Sequence, residues 1–99
     1  MLNPINNLNK LFDSRVRLGI MSALTVNGEI NFNDLKELLD ITDGNLASHL
    51  KALEETKIIQ VEKGFIGRKT NTIYKLTKSG EKDFRVHIDA LEKMIRETK

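Results

Sequence analysis

The feature that most narrows what this chain can fold into is a change of hydrophobic period between residues 31 and 76. At first, apolar residues recur at helical spacing: Phe32, Leu35, Leu38 and Leu39, then Leu46, Leu50 and Leu53. Such positions share one side of an α-helix, so two short helices are predicted. Only Asp40-Ile41-Thr42 separates them. Asn31 or Asn33 suits the cap of the first helix and Thr42 that of the second, with Asp43 at the positive end of its dipole. Past Ile58 the pattern changes. Ile58 to Val61 is rich in β-branched residues, and Thr72 to Leu76 alternates with the period of a half-buried strand. The nine residues from Lys63 to Asn71, with two glycines, read as the loop of a hairpin.

The flanks add helices. Asn3-Pro4 is a helix start, and Leu2, Ile5, Leu8 and Phe12 form an apolar stripe on a helix over residues 1–12. Asp13 or Ser14 caps the next helix. That helix carries Val16, Ile20, Ala23 and Leu24 on one side, Leu18 and Met21 on another, and stops at Asn27-Gly28. Glu29-Ile30-Asn31 is a stub of strand. Thr77 caps a last helix over residues 77–97, on which Phe84, Ile88, Leu91 and Ile95 make a heptad-like seam. Glu81/Arg85, Asp89/Lys93 and Glu92/Arg96 are acid-first pairs, each stabilising a helix by about 0.2–0.5 kcal/mol. A helix of about 20 residues spans roughly 30 Å, longer than so small a domain needs. The expected fold is therefore α+β, mainly α, in a single domain over residues 1–99. It holds a helix-turn-helix at 31–57, a wing hairpin at 58–76, and terminal helices free to pair with a second copy.

Composition limits the chemistry. A chain of 99 residues buries a thin core that a self-partner would thicken. With no cysteine there are no disulfides, thiolate metal sites or cysteine nucleophile. No apolar run approaches the roughly 18 residues of a membrane span, and no signal-peptide pattern opens the chain, so a cytoplasmic location is expected. The net charge is only +2, but it is unevenly spread: +2 over 1–28, −5 over 29–56, +5 over 57–78 and zero over 79–99. Positive field is concentrated at the hairpin, as phosphate attraction requires.

Leu35 to Glu55 resembles the helix-turn-helix of winged-helix bacterial and archaeal transcriptional regulators, close to the stand-alone family between the MarR-like and ArsR-like groups. The resemblance takes in Ser14-Arg15-Val16-Arg17-Leu18-Gly19-Ile20-Met21 upstream. Downstream it takes in Gly67-Arg68, Thr72-Ile73-Tyr74-Lys75-Leu76-Thr77 and Gly80, so that it covers roughly residues 12–85. It implies a homodimer whose recognition helices enter successive major grooves of double-stranded DNA while the wings touch flanking minor groove or backbone. It also implies dimerisation through the terminal helices, here Leu2, Ile5, Leu8, Phe84, Ile88, Leu91 and Ile95. Three departures stand out. Lys57 occupies a position where relatives usually have glycine. Lys69-Thr70-Asn71 replaces a common Arg-Pro-Arg. The cysteines of ArsR-like metal sensors are absent.

If Leu50 points to the core, Leu46 and Leu53 do too, and Asn45, Ser48 and Ala52 point outward with Gly44 and Lys51 beside them. Asn suits adenine, Ser several base edges, and Lys guanine or phosphate. Gly44 and Ala52 permit close approach. Arg68 and Lys69 at the hairpin end suit phosphate or a narrow minor groove, with Lys63 and Lys75 adding attraction. Arg15 and Arg17 serve either phosphate or the solvated surface. His49 lies at the margin of the buried side, as a structural histidine or a DNA contact. Asp43 is the acid closest to the expected phosphate path.

No enzyme site emerges. Ser48 and His49 are neighbours on one helix and diverge by about 100°, too far apart to act as nucleophile and base. His49 and His87 have no zinc-type spacing, so neither a metal nor another cofactor is expected. Gly64-Phe65-Ile66-Gly67 matches the GxxG of RNA-binding KH loops, but strand-like residues flank it rather than helices. The rival from another class is a winged-helix protein-interaction module without DNA affinity. A small-molecule effector fits a dimer cleft, though no residue specifies one.

Overall fold

Polar caps set the boundaries of the helices. The computed structural model describes residue 3 and residues 5–97. Ser14, Asn31 and Thr42 each accept the backbone N–H three residues on and open α1 (Arg15–Asn27), α2 (Phe32–Leu39) and α3 (Asp43–Glu55). Thr77 does the same for Gly80, at 2.9 Å, and opens α4 (Lys78–Glu97). Each cap contributes about 1 kcal/mol. Positive φ marks the exits: Gly28 at 80° after α1, Asp40 at 51° after α2 and Lys57 at 62° after α3. For Lys57 this costs about 1 kcal/mol relative to glycine. Its carbonyl is tied down by the Thr77 hydroxyl, which donates at 2.6 Å.

Three antiparallel strands complete the fold: β1 (Glu29–Asn31), β2 (Ile59–Ile66) and β3 (Lys69–Leu76), in the order β1-β3-β2. Pairing of β2 with β3 runs from Ile59↔Leu76 to Ile66↔Lys69. The expected nine-residue loop is therefore a two-residue turn, Gly67-Arg68. Gly67 alone has positive φ there, at 64°, as in a type II′ hairpin turn. The distal ribbon has no core beneath it to impose alternation. Its backbone hydrogen bonds carry the pairing through residues that read as loop.

α1 packs against α2, α3, β1 and β3, which explains its two apolar sides. Its Ile20 and Met21 belong to one core cluster with Leu35, Leu46, Leu53 and Ile59. Leu38, expected on the buried side of α2, is instead 60% exposed.

Two expectations for the terminal segments need correction. Ile5–Asn7 is a turn and Lys10–Phe12 a single 3-10 turn, so the described part of residues 1–12 contains no α-helix; Leu2 lies outside the described residues. Asparagine side chains compete with helical bonding: Asn3 Oδ1 accepts from Ile5 N–H and Asn9 Oδ1 from Leu11 N–H. Ile5 is exposed and Leu8 half-buried. Phe84 is not on a free seam either. It is buried edge-on to Phe12, with ring centroids 5.4 Å apart. The α4 stripe changes neighbour along its length. Gly80, Phe84 and His87 pack on the chain's own core; Leu91 is half-buried, and Ile88 and Ile95 are 39% and 68% exposed. Of the three charge pairs expected on α4, Glu92–Arg96 closes, at 2.8 Å.

Candidate nucleic-acid interface

α3 is held from one side. Leu46, Leu50 and Leu53 are all but inaccessible. Gly44, Asn45, Ser48 and Lys51 are exposed on the opposite side, and Ala52 is half-buried beside them. Gly44 stands in open space, where an added Cβ would meet nothing within 4 Å. The outward side is thus small and polar over its first turns, with Lys51 as its cation and the exposed Glu55 one turn farther on.

The acid that opens α3 is paired with α2. Asp43 Oδ1 lies 2.7 Å from Lys36 Nζ, across the turn between the two helices. The ion pair reduces the conflict that an acid at the start of α3 would pose for phosphate. The pair is exposed, so its own contribution to stability is small.

Arg17 and His49 form a link that the sequence did not suggest. Arg17 Nε–H donates to His49 Nδ1 at 2.9 Å, and Nη1 donates to the Leu11 carbonyl at 3.2 Å. Arg17 thereby joins α1 to α3, and His49 takes its structural role. Burial, reinforced by the Arg17 charge, lowers the His49 pKa below its usual 6.5. Arg15, two residues before, is exposed. A second histidine was also unforeseen as a fold element. His87, buried in α4, accepts the Asn9 N–H on Nδ1 at 2.9 Å, and burial lowers its pKa while Asp13 opposes the shift. Neither histidine's partner is near it in sequence, so no local pattern announces the bonds.

In the wing, Lys75 is engaged by Glu62 at 2.8 Å on one side of the ribbon. Lys63 lies on the other, by strand alternation. Arg68 and Lys69 are exposed at and beside the turn. From Lys63 to Asn71 the ribbon carries three cations and no acid. Phe65 and Ile66, which the sequence offers only as the middle of a GxxG match, are 74% and 67% exposed. Two large apolar residues directly before a Gly-Arg turn were the available signal.

Between α1, β3 and α4 runs a groove of about 710 Å³ with apolar walls that include Leu24, Val26 and Ile88, and with Lys75 and Arg85 among its polar residues. Among the described residues no three His, Cys, Asp or Glu side chains come together as metal ligands, and no helix is long and apolar enough to cross a membrane.

Residues 16–95 match the family model described as winged helix DNA-binding domain. An uncharacterized protein of Methanocaldococcus jannaschii is 42% identical over 79 residues, covering 80% of this chain and 86% of its own length. The solved structure of a transcriptional regulator homologue from Pyrococcus horikoshii superposes with a TM-score of 0.82 at 29% identity, over 92% of this chain and 90% of that one. A structure from Enterococcus faecalis described as a regulator of the MarR family gives a TM-score of 0.70 at 22% identity, over 88% and 74% of the two chains, a likeness of fold.

Proposed function

The chain belongs to the winged helix DNA-binding domain family, and from that premise we propose that it is a homodimeric transcriptional regulator. In this reading α3 enters the major groove of double-stranded DNA and the β2–β3 ribbon meets the flanking minor groove or backbone. One observation carries it: the side of α3 turned away from Leu46, Leu50 and Leu53 is exposed and, over its first turns, presents Asn45, Ser48 and Lys51 with Gly44. These residue types bond base edges or allow close approach. Arg68, Lys69 and Lys63 on the ribbon, with Arg15 at the start of α1, supply phosphate attraction that is independent of sequence. Dimerisation is assigned to the outer half of α4, where Ile88 and Leu91 continue the stripe beyond the part that covers the core.

The test is fluorescence anisotropy with random duplex DNA at two salt concentrations. Affinity should fall steeply with salt through counterion release. Arg68→Ala with Lys69→Ala should weaken binding to every duplex and reduce the log–log salt slope by about 2, one for each lost phosphate contact. Asn45→Ala or Ser48→Ala should weaken binding to a sequence selected from a random pool more than to random DNA. Half-sites about 10–10.5 base pairs apart in the selected sequence would fit the two-fold arrangement. Absence of salt-dependent duplex binding would overturn the proposal in favour of a protein-interaction module.

A further inference from the structure

The wing tip carries more than charge. Val61 and Tyr74 form the last cross-strand pair on the core side of the ribbon that includes a buried residue. Ile66 lies five residues beyond, so the tip projects about 16 Å past that pair. Out there Phe65 is 74% and Ile66 67% exposed. Scattered apolar residues on a surface need no explanation. Two adjacent ones at the end of a projecting ribbon, surrounded by Lys63, Arg68 and Lys69 with no acid from Lys63 to Asn71, are a different arrangement. The cations select a polyanion, and the apolar pair needs somewhere dry to go.

A DNA duplex satisfies both requirements at one place. Its minor groove is about 6 Å wide and bounded by phosphates. It admits the side chains of a hairpin tip; the base edges at its floor are polar, but the stacked faces between them are apolar. We propose that Phe65 is a wedge that enters a base step from the minor groove, partly unstacks it and bends the duplex, while Ile66 lies against the sugar wall. Neighbours in a strand point to opposite faces, so only one of the two can enter the step. Phe65 is the better wedge because a flat ring stacks on the base face it uncovers. Gly64 adds room: a Cβ there would meet nothing within 4 Å, and the bare backbone can approach the sugar-phosphate edge. Arg68 and Lys69 then lie beside the phosphates of the opened groove. Flexible pyrimidine–purine steps are the sites such a wedge prefers, which gives the wing a sequence preference without hydrogen-bond readout.

This inference rests on the DNA-binding reading, and its test separates the two. Ligase-catalysed circularisation of a fragment of about 120 base pairs, below the roughly 150-base-pair persistence length, reports bending without a known operator. Duplex binding is followed in parallel by anisotropy. The full chain at saturation should raise circle yield about tenfold or more. Phe65→Ala should still bind the linear duplex but lose that rise, and Phe65→Leu should keep much of it. Phe65 is exposed, so both variants should fold, which their circular dichroism melts check. Binding by the full chain without increased circularisation overturns the wedge and leaves the DNA-binding reading intact, as does circularisation undiminished in Phe65→Ala. Loss of binding in Phe65→Ala that Phe65→Leu does not restore also overturns it. Absence of any duplex binding by the full chain removes both.

Discussion

Replacing Gly44 by alanine should raise stability and lower DNA affinity in the same molecule. Gly44 is the second residue of α3, after the Thr42 cap. Glycine in a helix costs about 0.8–1 kcal/mol relative to alanine in the interior and somewhat less in the first turn. The new Cβ meets nothing within 4 Å, so no packing penalty offsets the gain. The free protein should therefore gain about 0.5–1 kcal/mol, which raises Tm by about 2–8 °C in a domain of this size. On DNA the same open space is the one into which the double helix must come. A methyl group forced into a close interface costs about 1–3 kcal/mol, or roughly 5- to 150-fold in Kd. Thermal melts followed at 222 nm and anisotropy on one selected duplex give the two numbers. A rise in Tm with unchanged affinity would refute the placement of the first turn of α3 against DNA. A fall in Tm would refute the local geometry from which the argument starts.

Gly80→Ala should have the opposite effect on stability. Its Cβ would collide with the Ile58 carbonyl oxygen and lie 2.9 Å from the carbonyl carbon, atoms of backbone that cannot swing aside. With rigid backbone as the obstacle, overpacking at the upper end of the usual range, about 2–3 kcal/mol, outweighs the helix gain of about 1 kcal/mol, for a net loss of about 1–2 kcal/mol and a Tm lowered by about 4–16 °C; a stabilised Gly80→Ala protein would contradict the close approach of α4 to the Ile58 backbone. Acid should also destabilise the fold. His49 and His87 both have pKa values lowered from 6.5, so the unfolded chain binds protons more readily than the native one. Stability from this source is complete above pH 6.5 and declines as pH falls below it, through the lowered native pKa values. Urea melts between pH 7.5 and 5 measure the decline, and His87→Gln, which keeps an acceptor for Asn9 N–H but does not titrate, should reduce it; an unchanged slope would contradict the bond. Leu91→Glu should convert the proposed dimer to monomer in sedimentation velocity with the fold retained, whereas an unaltered sedimentation coefficient would remove the outer half of α4 from the interface.

What could be read without a structure was whatever local chemistry governs. Ser14, Asn31, Thr42 and Thr77 cap the helices because a side-chain oxygen and an unpaired N–H three residues away satisfy each other regardless of context. The 3.6-residue spacing of Leu46, Leu50 and Leu53 likewise orients α3, and with it Asn45, Ser48 and Lys51. Lys57 adopts the left-handed conformation at the place where the resemblance implied glycine. Tertiary structure decided whatever depends on distant neighbours. Whether Phe84 faces a second copy or its own core depends on Phe12, which packs edge-on against it. Whether Arg17 meets phosphate or His49 depends on the approach of α1 to α3. The N-terminal stripe looked helical because spacing alone cannot weigh asparagines that bond their own backbone against a helix too short to sustain itself. The length of the wing, and the exposure of Phe65 and Ile66 at its end, came from strand pairing where no buried face imposes a pattern. Periodicity records burial, so it is silent about a ribbon that leaves the core behind.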